Sequence, residues 1–192
     1  MSADLQHFVD AQDGVFQAAL AELRAGQKRS HWMWFIFPQL LGLGQSEMSR
    51  RFGIHGLDQA RRYLQHPVLG PRLLQATQAA RDALHADTPL THLFGAIDSQ
   101  KFISCMTLFS QAAGEASLFA QILTTLQTSD VKTLQMLAAH PRQGRELGVS
   151  LQDGWLGFPR AASLLMRPVA QFCANCAKNW RSLMNCAKLP CL

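Results

Sequence analysis

The sequence predicts an all-α fold class, with a single compact domain of about eight to ten short helices and an irregular C-terminal tail. Apolar residues in positions 1–140 recur at three- and four-residue steps, which places them on one face of a helix. No run alternates apolar and polar residues as a half-buried strand would. With 48% apolar and 16% charged residues, the composition also excludes a largely disordered chain.

Capping and stop signals divide the first apolar stripes into short helices over residues 5–9, 16–23 and 31–37. Asp13 and Ser30 are expected to cap the second and the third, because their side-chain oxygens can accept hydrogen bonds from free backbone N–H groups. Gly26 ends the second helix. Pro38 ends the third, since the residue before a proline avoids the α conformation.

The remaining stripes predict helices over residues 47–52, 57–64, 72–84, 118–126 and 131–139. Two more helices are expected to begin at Thr88 and at Asp98. At the first of these, a capping hydroxyl precedes Pro89, which suits the first helical position. The second carries an apolar stripe at Phe102, Met106, Phe109 and Ala113.

The charge changes abruptly near His140–Pro141, and this change predicts a domain boundary. Residues 1–140 contain equal numbers of basic and acidic side chains. Residues 141–192 contain seven basic and two acidic side chains, so they hold the whole formal charge of +5. We therefore predict a helical domain over 1–140 and a basic, cysteine-containing, poorly ordered tail over 141–192.

Several functional classes are not expected. The basic residues of 1–140 form short pairs rather than the face or stripe of a DNA-binding domain, so we do not expect nucleic acid as a partner. The sequence has no secretory signal and no apolar run of ~18 residues, which predicts a cytoplasmic protein without a membrane partner. No catalytic, P-loop or dinucleotide-binding motif is present, so we assign no catalytic residue and expect no cofactor.

The densest candidate segment covers residues 27–39 and reads QKRSHWMWFIFPQ. Its apolar side chains point all round a helix axis, which predicts a helix in the middle of the core. Lys28 and Arg29 come just before the predicted cap Ser30, and His31 follows it. The positive end of a helix, its free N–H groups and two cations together favour a phosphate or carboxylate ligand. In the alternative interpretation the two cations are solvated and His31 is a buried, hydrogen-bonded histidine.

Other polar residues flank the apolar runs and are candidates to line the same cleft. Lys101 and Ser104 lie three residues apart on one helix face, and Trp34 or Trp32 offers a stacking wall. The full set of ligand-binding candidates is Lys28, Arg29, Ser30, His31, Trp34, Gln39, Arg51, His66, Arg72, Lys101 and Ser104. No metal ligand is assigned.

One cysteine lies in the helical domain and four lie in the tail. Cys105 stands beside an apolar helix stripe, and we expect it to be a structural thiol. Cys173 and Cys176 form a CxxC pair, and Cys186 and Cys191 follow with a wider spacing. Two pairs of thiols allow a zinc site. No regular helical or strand pattern surrounds them, so we favour an incidental extension.

Residues 28–39 closely resemble the signature of the domain-of-unknown-function 1810 family of bacteria and fungi. Further matching segments are Ala11-Gln12-Asp13, Arg50-Arg51-Phe52, Tyr63-Leu64, His66 to Arg72, and Lys101 with Met106 to Phe109. The resemblance covers about residues 3–140 and implies a compact all-helical domain without an established activity, so it transfers no catalytic residue. Cys105 stands where the family usually has a serine. Members are often labelled calpastatin, but a calpain inhibitor is expected to be disordered and highly charged, unlike this chain.

Our leading hypothesis is a cytoplasmic domain, with or without enzymatic activity, that binds a small anionic, phosphate-bearing ligand at the entrance of the 30–37 helix. The alternative is a protein-interaction module without catalytic activity, in which the segment only organises the core. A third hypothesis, nucleic-acid binding through the basic tail, predicts an affinity that falls steeply with salt. The sequence predicts neither a specific protein partner nor an oligomeric state.

Overall fold

The computed structural model describes residues 3–85 and 88–139, and these residues form a helical fold that begins with a 3-10 turn, Ala3–Leu5. The α-helices that follow are α1 Gln6–Gln12, α2 Phe16–Arg24, α3 Met33–Ile36, α4 Glu47–Arg51, α5 Leu57–Gln65, α6 Leu69–His85, α7 Leu90–Ala113, α8 Leu118–Leu126 and α9 Val131–Ala139. In this part of the chain an isolated parallel bridge joins Leu40 to Ile54, and no β-strand is formed. The predicted all-α class is confirmed.

Helix α3 and its flanking residues lie at the centre of the apolar core. Trp32, Met33 and Phe37 are fully buried. The ring of Phe37 meets the rings of Phe94 and Phe102 edge-on, with centroids 5.9 and 5.0 Å apart. The predicted position of this segment in the middle of the core is therefore confirmed, because its side chains are packed on almost every side.

Two long helices, α6 and α7, provide the framework on which the others pack. α2 and α5 pack against α6, while α5, α8 and α9 pack against α7. α1 lies against α3. The predicted boundary at residues 140–141 and the whole 141–192 segment, with its possible zinc site, lie outside the described residues and stay predictions.

Two of the predicted helix caps are wrong. Asp13 follows the end of α1, and a turn through Gly14, with φ 68°, delays the start of α2 until after Val15. The helix predicted over 31–37 shortens to the four residues of α3, whose N-cap is Trp32. Ser30 does not cap it, because the Ser30 hydroxyl bonds a side chain of α2 instead.

The start of α6 also differs from the prediction. The helix begins at Leu69 rather than at residue 72. Pro71 stands in its first turn, where a backbone N–H has no acceptor within the helix, so a proline there costs no helical hydrogen bond. The buried His66 accepts the N–H groups of Val68 and Leu69 at Nδ1, at 3.2 and 3.3 Å. A histidine ring therefore holds the first free N–H groups of this helix, a role that the sequence does not signal.

The two helices predicted to begin at Thr88 and Asp98 correspond to the two parts of α7, which meet at a kink. Its N-cap is Pro89, with no side-chain hydrogen bond to the cap. The kink lies at Gly95, with φ 76° and ψ 167°. This φ is in the left-handed region, which glycine adopts without a steric penalty. The kink directs the long C-terminal part of α7, which carries Asp98 and Lys101, across the core.

Candidate functional site

A carboxylate of the chain itself occupies the predicted helix entrance. Glu22, in α2, accepts hydrogen bonds from the backbone N–H groups of Arg29 and Ser30, at 2.7 and 3.1 Å. The Ser30 hydroxyl donates to it at 2.6 Å, and the Trp32 indole N–H donates at 2.8 Å. Burial by itself raises the pKa of Glu22, but these hydrogen bonds outweigh burial and lower the pKa to about 2. We call this group the Glu22 cluster.

The anion site predicted at the start of the 30–37 helix therefore lacks free backbone donors at residues 29 and 30. The N–H donors that were expected to hold an external anion already bind Glu22. In addition, α3 has only four residues, so its helix dipole contributes little to anion binding. Arg29 and His31 are exposed, and the Arg29 guanidinium contacts Gln27 at 3.3 Å. The alternative in which His31 is buried is wrong as well.

A second charged cluster contains Lys28, the residue before Arg29, and joins it to α7. The Lys28 ammonium lies 2.7 Å from Oδ2 of Asp98, and the Lys101 ammonium lies 2.7 Å from Oδ1 of the same carboxylate. The exposed fractions of these side chains are 10% for Lys28, 17% for Asp98 and 19% for Lys101. We call these three residues the lysine cluster. Two cations share one anion there, so the cluster carries one excess positive charge.

Two tryptophans line the lysine cluster. The Lys28 ammonium lies 5.3 Å from the ring centroid of Trp32, and the Lys101 ammonium lies 4.6 Å from that of Trp34. Both distances are within the range of a cation–π interaction. The indole N–H of Trp34 is buried and has no hydrogen-bond partner among the described residues. The lysine cluster is thus bounded by aromatic faces and has one unused donor beside it.

Backbone contacts bring Lys28 to α7. α2 ends in a turn through Gly26, with φ 73°, which reverses the chain towards the start of α7. The Lys28 N–H then donates to the carbonyl of Leu93 at 2.8 Å. Because the kink at Gly95 follows directly, Asp98 lies within reach of the Lys28 side chain.

The environment of Asp98 keeps its carboxyl ionised. Burial raises the pKa of Asp98, but the hydrogen bonds and charges of Lys101 and Lys28 outweigh burial and hold the pKa below its ordinary value. The carboxylate therefore balances one of the two ammonium groups, and the other ammonium has no counter-charge within the cluster.

A buried polar cluster surrounds Gln12 on the other elements of the core. The Gln12 amide donates to the carbonyl of Phe35 at 2.7 Å and to the Tyr63 hydroxyl at 3.0 Å. The Arg72 guanidinium reaches the Gln12 amide oxygen at 3.5 Å. Burial raises the pKa of Tyr63 far above its ordinary value, so the hydroxyl stays neutral.

The other predicted residues contact separate groups. The carbonyl of Gln39 accepts the Ile54 N–H at 2.8 Å, and the exposed Arg51 lies 5.3 Å from the ring centroid of the adjacent Phe52. The Ser104 hydroxyl lies 2.8 Å from the carboxylate of Asp130. Of the predicted set, the contacts join Lys28, Trp34 and Lys101. The remaining members of the predicted set lie outside the lysine cluster; they are Arg29, Ser30, His31, Gln39, Arg51, His66, Arg72 and Ser104.

Four side chains of these clusters were not predicted as site residues, namely those of Glu22, Asp98, Gln12 and Tyr63. Asp98 has a signal in the sequence, because an acid three residues before Lys101 faces the same side of a helix. Glu22 and Gln12 have none, since their partners lie seven or more residues away. Sequence spacing cannot indicate contacts that only the tertiary fold creates.

Cys105 is fully buried in α7, and burial raises the pKa of its thiol well above the ordinary value. This agrees with the predicted structural thiol. Across residues 3–85 and 88–139, no three His, Cys, Asp or Glu side chains converge as metal ligands would. In the same residues no helix is both long and apolar enough to span a membrane. The cytoplasmic location stays a prediction.

Comparison with known proteins agrees with the resemblance drawn from the sequence. Among curated proteins none matches the chain significantly. Among solved structures, the chain is similar to the conserved hypothetical protein Rv1873 from Mycobacterium tuberculosis, with 42% identity and a TM-score of 0.67. That match covers 70% of this chain and 96% of the other. The family model described as "Protein of unknown function (DUF1810)" matches residues 2–137, so this chain belongs to the DUF1810 family.

Proposed function

We propose that this protein binds a small anionic ligand, such as a phosphate-bearing metabolite, at the lysine cluster beside Trp34. The observation that carries the proposal is the charge balance of that cluster. Lys28 and Lys101 are both mostly buried, and they share the single carboxylate of Asp98. The site proposed for the anion thus moves from the start of α3 to the junction between the 28–34 segment and α7.

The excess charge argues for a ligand because burying an unbalanced cation is costly. A buried ion pair offsets the loss of hydration only when charges and hydrogen bonds are well matched. In the lysine cluster, one carboxylate accepts from two ammonium groups. Each ammonium has three N–H donors. Unused donors therefore remain on both lysines, and an oxoanion could accept from the two together.

Trp34 adds a surface for the rest of the ligand. Its ring faces the Lys101 ammonium, and its buried N–H has no partner among the described residues. When Lys101 turns towards a bound anion, that N–H gains an acceptor, either a ligand oxygen or a bridging water. Lys28 and Lys101 would hold the charge, and Trp34 would contact the neighbouring part of the ligand. No catalytic residue is assigned.

The experiment is thermal unfolding of the full chain in sodium phosphate and in sodium chloride at equal ionic strength. A ligand at 100 times its dissociation constant adds about 2.7 kcal/mol to the stability of the folded state. The variants K28Q and K101Q each remove the excess charge while leaving Asp98 paired with the other lysine. We expect both variants to fold and to gain less stabilisation from phosphate than the wild type does.

K132Q is the matched control, because Lys132 is an exposed lysine of α9. It should respond to phosphate as the wild type does. If K28Q and K101Q keep the full response, the anion does not bind at the lysine cluster. A wild type without any response to phosphate, pyrophosphate or sugar phosphates would contradict the proposal and favour the interaction-module alternative.

A further inference from the structure

The guanidinium of Arg72 lies at the edge of the buried Gln12 cluster and is held in a defined orientation. Arg72 stands in the first turns of α6 and is partly buried. Its guanidinium carbon lies 5.2 Å from the ring centroid of Phe16, in α2. One Nη reaches the amide oxygen of Gln12 at 3.5 Å, the long limit of a hydrogen bond.

The groups behind Arg72 are fixed by a chain of hydrogen bonds through the core. Gln12 is 1% exposed and Tyr63 is fully buried. The amide nitrogen of Gln12 donates to both the Tyr63 hydroxyl and the Phe35 carbonyl, which orients its oxygen towards Arg72. Side chains from α1, α5 and α6 and a carbonyl of α3 thus converge. The Gln12 oxygen and the Phe16 ring are thus the groups that orient the arginine.

Among the described arginines that lack an acidic partner, Arg72 is the partly buried one, and the others are exposed. Arg61 lies 2.9 Å from a carboxylate oxygen of Asp58, and Arg62 lies 3.0 Å from one of Asp4. Within residues 3–85 and 88–139, no carboxylate lies within 4 Å of the Arg72 guanidinium. A charge that is partly buried, stacked on a ring and bonded only to a neutral amide is not balanced by a structural ion pair.

We propose that Arg72 is a second anion-binding site, which accepts a carboxylate or a phosphoryl group through the free edge of its guanidinium. Five N–H donors are available on an arginine, and two parallel ones match two oxygens of an oxoanion. Phe16 and Gln12 position the guanidinium, and the ligand supplies the missing negative charge. This site shares no residue with the lysine cluster.

The test is an NMR titration of the full chain labelled with 15N, which follows the Nε–Hε signal of Arg72. Sodium phosphate and sodium acetate are the probes, and sodium chloride at equal ionic strength is the reference. The variant R72K assigns the signal by its absence. We expect the Arg72 signal to shift and saturate with phosphate, with acetate or with both, and the anion that is effective identifies the class of ligand.

R72K also tests the guanidinium itself, because lysine keeps the charge and loses the paired donors. Followed through the backbone amide signals of Gly70, Leu73 and position 72, its affinity for the effective anion should fall about tenfold. The exposed Arg50 is the internal control. The proposal is overturned if the Arg72 signal shifts no more than that of Arg50, or if R72K binds as tightly as the wild type. K101Q must leave the Arg72 titration unchanged, which separates this site from the lysine cluster.

Discussion

The Glu22 cluster and the lysine cluster use neighbouring residues of one segment, 28–32, yet their charges are arranged differently. In the Glu22 cluster, one carboxylate accepts four hydrogen bonds from the backbone and side chains of the segment. In the lysine cluster, one carboxylate serves two ammonium groups. The first cluster is rich in donors and already contains its anion. The second contains one anion too few.

This comparison shows how a basic, donor-rich segment should be interpreted. Cations and free N–H groups favour an anion wherever they occur. Whether that anion comes from outside depends on the acids that the fold brings to the same place. Around residues 29–32 the fold brings Glu22, and around Lys28 it brings Asp98 against two lysines. The relevant quantity is therefore the balance of charges in the folded cluster.

The largest expected effect comes from D98N, which removes the only negative charge of the lysine cluster. Two mostly buried ammonium groups then lack a counter-charge, and we expect the free energy of unfolding to fall by about 2–4 kcal/mol. Phosphate should recover part of this loss and stabilise D98N more than the wild type. Urea unfolding in phosphate and in chloride at equal ionic strength measures both. Equal stability in the two salts would show that the cluster is only an internal ion pair.

E22A should lower stability by about 2–3 kcal/mol, because it leaves the buried indole N–H of Trp32 and the N–H groups of residues 29 and 30 without an acceptor. Unlike D98N, it should not gain an enhanced response to phosphate. Urea unfolding in phosphate and in chloride measures both the loss of stability and the response to phosphate. E115Q, at an exposed glutamate, is the control and should change stability by less than about 0.5 kcal/mol. A loss no larger than that of the control would contradict the role assigned to Glu22.

The Glu22 cluster should also stabilise the fold in a pH-dependent way. The pKa of Glu22 is lowered from its ordinary value of 4.5 to about 2. A carboxyl with a lower pKa in the folded state contributes its full stability above the unfolded pKa and loses it as the pH falls through the folded pKa. Wild type should therefore exceed E22Q by about 1–2 kcal/mol at pH 7. That difference should disappear between pH 5 and pH 2, as measured by urea unfolding at each pH.

Local patterns predicted the fold class well because most helices bury one apolar face. α8 and α9 have the predicted bounds, and α5 differs by one residue. The errors arose where the fold overrides a local signal. Ser30 is a good capping residue, but Glu22 binds its hydroxyl. Asp98 was expected to open a helix, yet Gly95 supplies the break three residues earlier.

The sequence predicted several residues of the candidate site, but not which of them the fold brings together. Lys28, Trp34 and Lys101 were all candidates, and the fold does bring them together. They are connected by Asp98 and by a backbone hydrogen bond from Lys28 to Leu93. These residues are too far apart in sequence for helical periodicity to predict the contact. The same reason explains why the orientation of Arg72 by Gln12, 60 residues away, has no signal in the sequence.

The smallest expected effect is that of H31A, and it separates the two clusters most directly. If an anion bound at the predicted helix entrance, His31 would be one of its donors, and the variant would lose the response to phosphate. The structure instead places His31 on the surface, outside the hydrogen bonds and ion pairs that form the two clusters. We therefore expect H31A to unfold within about 0.5 kcal/mol of the wild type and to keep the whole phosphate response. A phosphate response that is lost in H31A but kept in K101Q would return the anion site to the segment that Glu22 now occupies.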